Sequence, residues 1–178
     1  SLELDLEPGV TTFVGDNGSG KTNIAESLIY LAFLSSHRVA NNVPLISLGN
    51  QQAIIRAEVQ RDDRTLQIDL EINATKANRA RINGNPTRSQ RELLGAIQIV
   101  YFSPEDLDLV RGEPGNRRDF LDRLLITRTP RLAGVIADYE RVVKQRNALL
   151  KTRTSAAALV PWNEQLIKLG AELTAERI

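Results

Sequence analysis

Gly15-Asp16-Asn17-Gly18-Ser19-Gly20-Lys21-Thr22 fits the pattern G-x-x-x-x-G-K-[ST] at every fixed position. Each residue type has a physical reason to be there. Glycines let the main chain curl around a phosphate group and turn its N–H groups inward. A helix that starts near Gly20 points the positive end of its dipole at the same place. Lys21 reaches the β- and γ-phosphates of a nucleotide, and the Thr22 hydroxyl is a magnesium ligand. The stretch therefore predicts a loop that holds ATP with Mg2+, between a strand and a helix. The bland alternative is an ordinary glycine-rich strand-to-helix turn.

Working outward, Val10-Thr-Thr-Phe-Val14 is a short β-branched run that predicts a buried strand. Before it, Leu2, Leu4 and Leu6 alternate with acids, as a strand with one buried face does. After the loop, Asn23 to Leu34 reads as a helix with Ile24, Leu28, Leu31 and Ala32 on one face. Two alternations follow, Ala53-Ile55-Ala57-Val59 and Leu66-Ile68-Leu70-Ile72, joined by the polar tip Arg61-Asp-Asp-Arg64, which predicts a hairpin. A further strand carries Ala80 and Ile82 and closes on the turn dipeptide Asn83-Gly84. Ile97 to Phe102 reads as another strand.

From Pro104 onward the pattern is helical. Asp119 to Ile126 predicts a short helix. A 3–4 apolar spacing runs from Leu132 to Leu150. A break rich in Thr, Ser and Ala ends at Pro161, after which Trp162, Leu166, Leu169 and Leu173 resume the spacing. Two amphipathic helices with a short connection predict an antiparallel pair. The domain expectation is an α/β lobe over 1–129 and a helical arm over 130–178.

The composition excludes several classes. With no cysteine and one histidine, His37, the 178 residues offer neither disulfides nor a thiolate or histidine metal cluster. No apolar run is long enough to cross a bilayer, so the expectation is a cytoplasmic protein without membrane contact. The net charge of +1 does not by itself announce a nucleic-acid partner. Arginines outnumber lysines 18 to 5, and arginine suits bidentate phosphate contact and ion pairs. The chain has no methionine and opens and closes inside regular patterns, so it reads as a piece of a longer protein.

The loop with its next residue, G-x-N-G-x-G-K-T-N, resembles the ATP-binding cassette heads of SMC-like ATPases. Within these, further stretches resemble the RecF family of bacterial recombination and gap-repair proteins. They are Leu34-Ser-Ser-His-Arg38, Tyr101-Phe-Ser-Pro-Glu-Asp-Leu-Asp-Leu-Val110, Arg117-Arg-Asp-Phe-Leu-Asp122, Tyr139 to Leu150, and Trp162-Asn-Glu-Gln-Leu. The resemblance implies an α/β P-loop NTPase of the ABC/SMC-head type, a mixed sheet with an antiparallel portion, followed by a helical arm. It covers about the first half of such a protein. It implies an ATP-dependent homodimer that binds DNA where duplex meets a single-stranded gap and works with RecO and RecR to load RecA. The implied nucleotide contacts are Gly15, Asp16, Asn17, Gly18, Ser19, Gly20, Lys21, Thr22, Asn23 and Arg38. The family's signature motif, its acidic Walker B strand and its switch histidine lie further along and are absent here, so the expectation is a chain that binds ATP and barely hydrolyses it.

Two residues keep alternative readings. Glu105 follows the strand at 97–102, where cassette ATPases carry a glutamine that reaches the magnesium, so it is either a metal-shell contact or a helix-capping acid after Ser103 and Pro104. Arg38 is either a phosphate or DNA contact or a solvated loop arginine. The basic residues Arg111, Arg117, Arg118 and Arg123, with Arg141, Lys144, Arg146, Lys151 and Arg153, are either a DNA-facing surface or a salt-bridged helix surface. Other cassette ATPase heads, including a transporter motor, and a P-loop small-molecule kinase are the competing classes.

Overall fold

The apolar alternations Ala53-Ile55-Ala57-Val59 and Leu66-Ile68-Leu70-Ile72 do what their period requires, setting these side chains on one face of a sheet. In this computed structural model, residues 2–36, 38–39, 41–61, 63–152 and 155–178 are described, Arg61 and Glu105 by backbone alone. Strand β1 (Gln52–Arg61) pairs antiparallel with β2 (Arg64–Asn73), β2 with β3 (Arg79–Ile82), and β3 with β4 (Asn85–Pro86). The order is β1-β2-β3-β4 in one meander. The turn between β3 and β4 has Asn83 at φ 49° and Gly84 at φ 77°. Two left-handed residues in a row match the twist of a tight hairpin.

One face of the sheet carries Ile68, Leu70, Ile72 and Ala80 into the core, each at most 5% exposed. Helix α1 (Lys21–Phe33) lies across that face, with Tyr30 and Leu31 in the same cluster. Leu93, from a 3₁₀ turn at Gln90–Leu93, closes the end of it. Fully burying side chains of this size stabilises by about 1.5–3 kcal/mol each. The helix ends with Leu34 in the left-handed region, φ 55°, its amide bonded to the Tyr30 carbonyl. A branched side chain meets a steric penalty there, offset here because Leu34 packs against the core.

A polar knot fastens α1 to the sheet. The Tyr30 hydroxyl donates to Asn42 Oδ1 at 2.9 Å and accepts from Asn78 Nδ2 at 3.2 Å. Asn78 also donates to Gln90 Oε1, and its Oδ1 accepts from Asn42 Nδ2 and the Asn73 amide. Burial pushes the Tyr30 phenol above its ordinary pKa, and the Asn78 bond pulls it partly back.

The second half is helical: α2 (Asp108–Arg111), α3 (Pro114–Arg128), α4 (Leu132–Lys151) and α5 (Ala156–Arg177). Helices α4 and α5 run antiparallel. Arg131 at the start of α4 meets Glu172 and Glu176 near the end of α5, and Arg146 donates to Asn163 at the other end. Leu132, Ile136, Val142 and Leu173 are buried in this half. Arg128–Glu176 and Arg177–Asp122 tie α3 to α5. Where the halves meet, Gly95 sits at φ +87° with its missing Cβ position 2.6 Å from Pro130 Cγ.

Three expectations are corrected. Residues 2–6, 10–14 and 97–102 are not strands, apart from a single bridge between Leu94 and Ile97. Val10, Val14, Val100 and Phe102 are exposed. A strand exists only through a ladder with a neighbour, and the meander leaves none beside these runs among the described residues. The break before Trp162 is also shorter than expected, because α5 begins at Ala156 and runs through Pro161. Proline in the second turn removes one amide, and the alanines before it supply helix propensity. Helix α3 is longer than Asp119–Ile126, starting with Pro114 at its first position.

Replacing Asn78 with alanine removes four hydrogen bonds at once and leaves the part-buried Asn42 and Tyr30 short of partners. The expected loss is about 2–3 kcal/mol, read from urea unfolding followed by circular dichroism. A second expectation concerns Glu140 on α4. Partial burial of its carboxyl group, then the charges of Asp122 and Asp119, raise its pKa. The folded state therefore holds this proton to higher pH than the unfolded chain does. The group's contribution to stability falls as pH rises through the raised value and is a penalty at neutral pH. Glu140→Gln is expected to raise the melting temperature at pH 7, with the difference vanishing below about pH 4.

Candidate phosphate-binding site

The loop at 15–20 owes its shape to glycine. Gly18 has φ +83° and Gly20 φ +93°, values that L side chains rarely adopt, and neither has an atom within 4 Å of its missing Cβ position. The constraint at both is conformational rather than steric crowding. Gly15 differs: a Cβ there lies 3.2 Å from Ser19 Oγ. One internal bond, from the Ser19 amide to the Asp16 carbonyl at 3.2 Å, closes the turn.

Helix α1 then starts at Lys21 with Gly20 as its N-cap. No side chain caps it and no acid stands in its first turn. The first amide to find an acceptor in the helix is that of Ile24, on the Gly20 carbonyl. Among the described residues, no hydrogen bond takes up the amides of Lys21, Thr22 and Asn23. A helix start with free donors and a positive dipole end is matched to an anion.

Lys21 folds back over the loop. Its Nζ donates to the carbonyls of Gly15 and Asp16, both at 2.7 Å, and lies 3.4 Å from Ser19 Oγ. The ammonium is thus held against the loop, close to the helix start. Thr22 is exposed beside it.

The remaining expected site residues are arranged differently. Arg38 is turned to the middle of α1, where its Nη1 lies 3.3 Å from Glu26 Oε2. Glu26 is 7% exposed, and its other oxygen accepts from Ser36 Oγ, which in turn accepts from the Arg38 amide. This pairing answers an otherwise unpaired buried charge. The sequence offered no signal for it, since Glu26 and Arg38 lie 12 residues apart. The side chain of Glu105, like all of His37 and Arg153, lies outside the described residues. The backbone of Glu105 belongs to a 3₁₀ turn, Pro104–Leu107. At the head of that turn the Ser103 amide donates to Asp106 Oδ2 at 2.6 Å. Among the described residues no group of three or more acidic or histidine side chains is placed to hold a metal. No described helix is long and apolar enough to cross a membrane.

Of the basic residues on the helices, Arg117 donates to the carbonyls of Leu109 and Gly112, and Arg141 pairs with Asp138. Arg128, Arg131, Arg146 and Arg177 make contacts between helices of this half.

Residues 1–109 match a family model described as an AAA domain. A protein of Kineococcus radiotolerans named DNA replication and repair protein RecF is 52% identical over 186 residues, covering all of this chain and 48% of that protein. The chain thus spans about half the length of the curated relatives it matches. Among solved structures, one described as the recombination mediator protein RecF-ATPrS in the RecFOR pathway superposes with a TM-score of 0.84 at 26% identity. It covers 92% of this chain and 45% of its own. A chain from a study of ATP-driven dimerization and DNA stimulated activation of SMC ATPases matches at TM-score 0.51 and 19% identity, over 67% of this chain and 86% of its own. That likeness concerns the fold alone. Together these matches make the architecture that of RecF and SMC ATPase heads.

Gly18→Val places a branched side chain in a left-handed position with open space around it. The expected outcome is a loss of about 1–2 kcal/mol from backbone strain alone, with circular dichroism unchanged and the melting temperature lowered.

Proposed function

The chain belongs to the AAA-domain family, and from that premise we propose that it binds ATP with Mg2+ at Gly15–Thr22 and serves DNA replication and repair. One observation carries the reading: three unpaired amides at an uncapped helix start, beside the Lys21 ammonium. The loop Gly15, Asp16, Asn17, Gly18, Ser19 and Gly20 would wrap the phosphate chain, with the free amides of Lys21, Thr22 and Asn23 at its base. Lys21 would exchange its two carbonyl partners for phosphate oxygens, a stronger charge-assisted contact. The Thr22 hydroxyl would ligate the magnesium ion, which supplies charge neutralisation at the phosphates.

The finer reading follows the family resemblance of the sequence. ATP binding drives two heads together, the dimer grips DNA at gaps, and slow hydrolysis in the complete protein releases it. RecO and RecR are its proposed partners in loading RecA. Arg38 enters the nucleotide or DNA contact only after leaving Glu26, and Glu105 is the proposed second group near the metal. The proposed work is done in the cytoplasm. Residues 130–178 are proposed as a separate arm on the ATPase lobe at 1–129.

The test is binding of a fluorescent ATP analogue with Mg2+ to the wild type and to Lys21→Ala. The lysine–phosphate contact is worth about 1.5–3 kcal/mol, so the variant is expected to bind about 10- to 100-fold more weakly. Equal affinity would remove the reading.

A further inference from the structure

The outward face of the sheet is not flat. An open cleft of about 530 Å³ runs over it, between the strands and the segment at 86–90. Its lining includes Arg56, Arg79, Arg81 and Arg88, with Asp69 and Glu71. Strand period puts Arg79 and Arg81 on the same face, roughly 7 Å apart. Arg88 joins them from the rim. Its backbone is fixed by a capping box in which Glu92 Oε1 accepts from the Arg88 and Ser89 amides.

Of the two acids in this cleft, Asp69 is paired with an arginine, while Glu71, opposite Arg79 across the strands, is hydrogen-bonded only by a neutral amide. Asp69 lies 3.3 Å from Arg56 Nε, and Glu71 accepts from Asn73 Nδ2 at 3.0 Å. Among the described residues, neither an ion pair nor a hydrogen bond engages the guanidinium groups of Arg79, Arg81 or Arg88, and all three residues are exposed. The helical half is the opposite case. There, six arginines are committed to internal bonds with acids, amides or carbonyls. With Arg56, Arg79, Arg81 and Arg88 against Asp69 and Glu71, positive charge is in excess in the concavity, a field that favours a polyanion.

We infer that this cleft is where the protein grips nucleic acid, with Arg79, Arg81 and Arg88 contacting phosphates of the backbone. The inference rests on the proposed role in DNA repair and gives that role a surface on the sheet, away from the basic helices. No aromatic residue lines the cleft among the described residues, so bases have nothing to stack on. Contact through guanidinium groups alone positions a backbone and reads no sequence. The spacing of cations along a strand suits a repeating phosphate chain better than a single free phosphate.

The test uses the full-length protein with ATP and a gapped duplex labelled for fluorescence anisotropy, titrated across salt. Arg79→Gln/Arg81→Gln/Arg88→Gln is compared with the wild type and with Arg118→Gln/Arg123→Gln/Lys144→Gln. The sheet variant is expected to bind at least tenfold more weakly. Its slope of log affinity against log salt should become shallower by about 2.7, at ~0.9 for each phosphate no longer engaged. The helix variant should stay within about twofold of the wild type, and ATP affinity should be unchanged in both. Wild-type binding that the sheet variant retains in full would overturn this surface while leaving the repair role standing. Failure of the wild type to bind DNA at all would overturn both. Polyglutamate that competes as well as DNA at equal charge would reassign the cleft to an acidic protein and overturn the nucleic-acid inference.

Discussion

A loop that offers its amides to an anion is only as precise as the helix behind it, and here that helix is held through Tyr30. Its ring lies in the sheet core while its hydroxyl joins Asn42 and Asn78. One residue thus combines apolar burial with directional bonds to two other segments. Burial alone lets a helix slide or roll at little cost, whereas a satisfied polar network fixes one arrangement. The start of α1 lies about two and a half turns from this anchor, so its orientation follows from how firmly the far end is seated.

The legible parts of this chain were those whose pattern is local. The motif at 15–22 needs only a short run of residues, and the structure gives it the left-handed glycines and the helix start that its chemistry calls for. The hairpin at 53–72 and the turn at Asn83-Gly84 were equally readable, because alternation and turn chemistry act between neighbours. The runs at 10–14 and 97–102 carried the same local signal and did not become strands. Their β-branched composition states a preference, but a ladder needs a partner that no local pattern supplies. Glu26 with Arg38, and Asn78 with Tyr30, were invisible for the opposite reason: each pairing is made by the fold between segments far apart in sequence.

The arginines divide by what surrounds them. On the helices, acids stand at the right offsets on the facing helix, and pairs such as Arg131 with Glu172 and Glu176 are satisfied within the fold. Such exposed pairs add little stability each, but as a set they fix how three helices lie together. On the sheet, arginines outnumber acids four to two in the cleft and only Arg56 is paired, so an excess of positive charge faces outward. Composition alone, with a net charge of +1, averages these two populations into apparent neutrality.

The meeting of Gly95 with Pro130 has a consequence for how such sequences can drift. Any side chain at 95 would collide with the proline ring and would also be forced into an unfavourable backbone state. The glycine therefore cannot be replaced first without cost. The two positions should vary as a linked pair across descendants, and a chain that loses the glycine should have already lost the ring.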